Sequence, residues 1–71
     1  MHFHRLIRTR NNSDLYAVLD DRAQNVALLY KWWSTDSKHG LTVLGKYPYT
    51  DFTDRPRALR VATDHGKGMA R

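Results

Sequence analysis

All seven acidic residues of this chain are Asp, at positions 14, 20, 21, 36, 51, 54 and 64; there is no Glu. Glu is a good helix former, whereas Asp competes for the backbone hydrogen bonds of a helix and favours caps and turns. Each Asp falls where a turn or a cap can be placed, between apolar runs rich in Val, Leu, Tyr and Trp. A chain punctuated this way is expected to fold into short strands joined by many turns.

The chain has 71 residues and no Cys. That length allows one domain with one small core, burying only about 60 % of the unfolded surface. No disulfide framework or thiolate metal site can supplement it. Lack of Cys suits a reducing compartment, and a cytoplasmic location is the expectation. No run approaches the roughly 18–20 apolar residues of a membrane span. The start, Met1-His2-Phe3-His4-Arg5, lacks the apolar stretch of a signal peptide.

Twelve Lys and Arg set against the Asp residues give a net charge of +5. The charge is uneven. Arg5, Arg8 and Arg10 make the first ten residues basic, the stretch from Asp14 to Arg22 is net negative, and the last third is basic again. Small domains need some net charge for solubility; attraction to a polyanion is the sharper reading.

Phe3 to Thr9 reads as a half-exposed edge strand, with Phe3, Arg5 and Ile7 on one face and His4, Leu6 and Arg8 on the other. Arg10 to Asp14 reads as a turn. Leu15 to Trp33 admits two descriptions. As a helix, Leu15, Leu19, Val26, Leu29 and Trp33 fall near a 3.6-residue period. As two strands, Leu15–Leu19 and Val26–Trp33 flank the polar run Asp20 to Asn25. The polar run and the Tyr, Val and Trp content favour the hairpin. Leu41 to Tyr47 is a further strand, with Leu41, Val43 and Gly45 on one face, ended by Pro48. Asp54 or Thr53 followed by Pro56 marks a helix start, and Gly66 its end; a fifth strand at Ala58–Ala62 is the rival. The expected fold is therefore α+β, mainly β. It is a small antiparallel meander or half-open barrel of about four short strands, with a C-terminal short helix or fifth strand. Residues 1–65 form the domain and 66–71 a flexible basic tail.

No motif identifies a reaction. Ser, His and Asp occur in no nucleophile context. Gly66-Lys67-Gly68 resembles a phosphate loop in composition alone, because the loop needs Gly five positions earlier and Ser or Thr after the Lys; Val61 and Gly68 stand there. A catalytic role, and any cofactor, is not expected. His2 and His4 would share a strand face as two metal ligands could. Nothing joins them to His39 and His65, and surface histidines are the plainer reading.

The aromatics are more suggestive. Tyr30, Trp32 and Trp33 lie close together, with Lys31 between them and Lys46 on the next strand. Adjacent Trp residues on a strand face opposite ways, so a two-layer domain is expected to bury one and expose the other. Aromatic platforms flanked by cations hold single-stranded nucleic acid. Arg55, Arg57 and Arg60 form the densest basic run and could bind phosphates. The leading expectation is a non-catalytic nucleic-acid-binding module acting through Arg5, Arg8, Arg10, Arg55, Arg57, Arg60, Lys31, Lys46 and an exposed Trp32 or Trp33. The alternative is a small protein-binding inhibitor or adaptor, of the kind phages and other mobile elements encode, using the same Trp and Arg as hot spots. A homo-oligomer built on a strand edge or a Trp is a third reading.

Overall fold

The computed structural model of the chain describes every residue except Met1 and Asn12. It contains β1 (His2–Arg8), β2 (Leu15–Asp21), β3 (Val26–Ser34), β4 (His39–Pro48) and α1 (Arg55–Met69). The strands form one antiparallel meander in the order β1-β2-β3-β4, and the helix lies across one face. The sheet is open rather than a barrel, and the last element is a helix rather than a fifth strand. The Leu15–Trp33 stretch is a hairpin. Its turn is made by Asn25 in the left-handed region at φ 54 and by Asp21, whose Oδ1 accepts the Gln24 amide at 3.2 Å.

The Asp residues explain most of the turns. Asp14 and Asp36 lie in connections, and Asp51 Oδ1 accepts from the Thr53 amide, the Thr53 hydroxyl and the Asp54 amide at 2.9, 2.6 and 3.1 Å. This acceptor folds the connector after Pro48 into the start of α1. Asp54 occupies the N-cap position, but its side chain makes no capping bond; it is held by Arg57 instead. Asp20 and Asp64 depart from the turn expectation, lying in β2 and in α1.

Two register shifts reassign faces. One at His4 puts Phe3 opposite Leu19 and Arg5 opposite Val18. Phe3 therefore joins Leu6 and Arg8, while Arg5 and Ile7 face the helix, against the simple alternation expected. The other, at Leu44, pairs Leu29 with Gly45 and Tyr30 with Val43. Leu41 and Val43 consequently point away from the helix and Gly45 towards it. A bulge adds one residue to one strand and so inverts the phase of everything beyond it.

The core lies between sheet and helix. Ile7, Tyr16, Val18, Ala27 and Leu29 meet Ala58, Leu59, Ala62 and Ala70, with Tyr49 closing one end and Leu44 and Tyr47 at the margin. The buried stripe of α1 is Ala58, Leu59, Ala62, Thr63 and Gly66, mostly small residues that let the helix approach the sheet closely. Gly66 is the contact point. A Cβ there would lie 2.9 Å from Ile7 Cδ1 and 3.0 Å from Leu29 Cδ1. The helix therefore continues through Gly66 to Met69, with Ala70 as its C-cap. Residues 66–69 are helical, where a loose tail was expected, because the missing side chain serves packing and not chain reversal.

Candidate functional site

The face of the sheet opposite the helix is apolar, and among the described residues no element lies over it. Strand pairing arranges it in three rows across the four strands. The first is Phe3, Leu19, Leu28 and Lys46; the second Leu6, Ala17, Tyr30 and Val43; the third Arg8, Leu15, Trp32 and Leu41. Within these three rows only Arg8 and Lys46, at diagonally opposite corners, carry charge; a shorter row of Asp21, Val26 and Pro48 lies beyond the first and brings one carboxylate to the same face. Ala17, Leu19 and Leu28 are buried without belonging to the helix-side core. Around them Phe3 is 69 % exposed, Leu6 56 %, Leu41 44 %, Val43 43 % and Trp32 38 %. Soluble monomers rarely expose contiguous apolar patches above a few hundred Å². With principal extents of 41 × 24 × 15 Å, the described residues form one helix on one sheet, without a second layer over this face.

Both Trp side chains are exposed, Trp33 at 40 %. They do face opposite ways, Trp32 opposite Leu41 on the open face and Trp33 opposite Gly40 on the other. Neither is buried, contrary to expectation, because the helix-side core stops at Leu29 and Leu44. The β3–β4 hairpin runs on past it. Trp32 stacks on His39 with ring centroids 5.1 Å apart. Trp33 lies so close over Gly40 that a Cβ there would meet its ring at 2.6 Å.

A shallow groove of about 540 Å³ lies beside the open face, lined by Arg8, Ser13, Asp14, Leu15, Lys31, Trp32, Trp33 and Ser34. It brings together four of the residues singled out from the sequence: Arg8, Lys31, Trp32 and Trp33. The Lys31 ammonium is 3.7 Å from Asp14. Arg10 lies apart, in a second hollow with Arg71 at the helix end. Arg5, Lys46 and Arg60 are exposed on β1, β4 and α1 respectively.

The run Arg55-Pro56-Arg57 does not form a cation cluster with Arg60. Arg57 makes two bonds to Asp54, at 2.7 and 3.1 Å. Arg55 reaches across the fold, its Nε and Nη2 both 2.7 Å from Asp20 Oδ2. The same carboxylate accepts from the Tyr49 hydroxyl at 2.7 Å and from Arg22 at 3.3 Å. Burial by itself would raise the Asp20 pKa, but these donors outweigh it, and the carboxyl lies below its ordinary range. Burial, and then the neighbouring carboxylate, push the Tyr49 hydroxyl upward. The network ties the start of the helix to the end of β2 and gives Arg55 a structural task. Arg22 and Arg55 also flank the exposed Phe52 ring, each 5.9 Å from its centroid.

The histidines are dispersed. His39 stacks on Trp32, and His65 meets the Tyr47 hydroxyl. Among the described residues no three His or Asp side chains come together as a metal-binding group, and no helix is long and apolar enough to cross a membrane.

Phe3, Leu6, Leu41 and Val43 were not among the residues singled out from the sequence, yet they dominate the open face. A signal for them exists. Leu15-Tyr16-Ala17-Val18-Leu19 is apolar at every position, the pattern of a strand covered on both faces, while a chain this short supplies one helix to cover only one. No protein-family model, curated protein or solved structure matches this chain.

Proposed function

We propose that this chain is a small non-catalytic binding module whose partner is a protein, docked on the open face of the sheet. The observation that supports this is the three-row face itself, on which ten of twelve positions are apolar. Seven of those ten are aliphatic and offer a base no stacking surface, and the three rings, Phe3, Tyr30 and Trp32, stand in separate rows. An apolar centre with charge confined to the rim is the pattern of protein interfaces, and Trp32 beside Arg8 supplies hot-spot residue types at one margin. Engagement of Arg55 and Arg57 within the chain weakens the polyanion reading.

That second reading keeps one specific observation. The groove holding Arg8, Lys31, Trp32 and Trp33 places two cations beside two exposed rings, which would suit one or two stacked nucleotides.

A photo-crosslinking residue placed at Val43, with a control at Asp64 on the exposed side of the helix, tests both in extracts. Protein adducts from position 43 that are absent from position 64 are the expected result. Adducts to nucleic acid alone, or none at position 43, would refute protein docking. In the first case, oligonucleotide affinity should fall with salt at a log–log slope near −0.7 per neutralised phosphate.

A further inference from the structure

Resting on the protein-docking reading, we infer that the partner on the open face is a second copy of this chain, packed sheet to sheet about a two-fold axis parallel to the strands. Such an axis sets β1 of one copy over β4 of the other, and the side chains met in each row are then complementary. Phe3 faces Lys46 of the second copy, a ring against a cation. Leu6 faces Val43.

Charge fits the same arrangement. Arg8 and Lys46 sit at opposite corners, so the two-fold places one cation at each of four corners. Neighbouring corners lie roughly 13–14 Å apart by strand and residue spacing. That exceeds the Debye length of about 8 Å at physiological salt, so these four corner cations are largely screened from one another. Arg8 then lies over Leu41 of the second copy with its guanidinium free at the rim.

The area is that of a small, weakly held interface. The face measures roughly 19 Å across the strands and roughly 20 Å along them. Two such faces project to roughly 760 Å², below the lower bound of about 1,200 Å² for a standard interface, so a weak dimer is expected. Sheets packed in this way form a sandwich with a core about 10 Å thick. A second core also answers the need of a chain this short and without Cys, since domains of its size commonly gain stability by oligomerising.

Sedimentation of the purified full chain, at concentrations of about 1 to 500 µM that cover the weak affinities of small interfaces, should show the mass rising from 8.3 kDa towards twice that value. Val43→Lys should weaken association by about tenfold or more, because each dimer then buries two unpaired charges. The circular dichroism of that variant should match the parent, since Val43 packs against no helix residue of the core. Leu6 and Val43 of one copy are roughly 14 Å apart, too far for a disulfide within the chain. The double variant L6C/V43C should therefore oxidise to a covalent dimer, while L6C alone should not. A parent chain monomeric throughout the range overturns the inference; protein adducts at position 43 would then leave the docking reading standing, and their absence would bring both down. Ready oxidation of L6C alone would overturn the proposed axis, because it places Leu6 against its own copy. Association that Val43→Lys leaves unchanged would place the contact elsewhere and also overturn the inference.

Discussion

Gly66 and Gly68 lie two residues apart in the same helix, and the same substitution should act on them in opposite directions. Gly→Ala inside a helix contributes about 0.5–1 kcal/mol by removing backbone freedom from the unfolded chain. At Gly68 nothing lies within 4 Å of the added Cβ, so this gain stands alone. It is reduced by fraying so near the end of α1 to about 0.5 kcal/mol. At Gly66 the same gain meets Ile7 Cδ1 at 2.9 Å and Leu29 Cδ1 at 3.0 Å. Leu29 is fully buried and Ile7 nearly so. Relief requires off-rotamer side chains or a lifted helix, and overpacking of this kind costs about 1–3 kcal/mol. Gly66→Ala should therefore lose up to roughly 2.5 kcal/mol net, against the 3–5 kcal/mol expected of such a domain. Urea denaturation followed by far-ultraviolet circular dichroism measures both variants. One low protein concentration should be used throughout, since self-association adds to apparent stability. Intrinsic fluorescence is the poorer probe because both Trp rings are already exposed. If Gly66→Ala stabilises the chain as much as Gly68→Ala does, the close helix–sheet contact is not a determinant of the fold.

Acid should weaken the fold below the ordinary carboxyl range. The folded-state pKa of Asp20 is lowered, as are those of Asp51 and Asp54, so their contribution is complete above the unfolded value of about 3.9 and is lost as pH falls through the folded values. Thermal midpoints of the parent chain should drop across that window, and Asp20→Asn should be less stable at neutral pH with a shallower acid slope; equal slopes would remove Asp20 from the account. At a concentration low enough to keep the chain monomeric, acrylamide should quench both Trp residues in the folded chain with a single accessible population, and neither Trp32→Ala nor Trp33→Ala should approach the 3–5 kcal/mol loss of a core aromatic. A protected Trp fraction would place one ring in a core.

The elements of this fold can be read from local signals. Turn-forming Asp and Asn residues separate the strands, Pro48 closes β4, and Pro56 sits in the first turn of α1. The polar break before Val26 selects a hairpin over a helix because it interrupts a helical stripe yet suits a four-residue turn. The continuous apolar runs of β2 and β3 also record burial on two faces. Which side chains meet was decided by contacts between distant parts of the chain. A bulge forms only where a partner strand sets the register, so the shifts at His4 and Leu44 reassigned Phe3 and Gly45 in ways that alternation does not reveal. Arg55 finds its carboxylate 35 residues away, and no spacing rule distinguishes it from the exposed Arg60. Gly66 carries a common helix-end signal, and only the approach of Ile7 and Leu29 turns it into a contact point. The open face has the same origin: each strand records that both its sides are apolar, but only the assembled fold shows that one helix covers one of them.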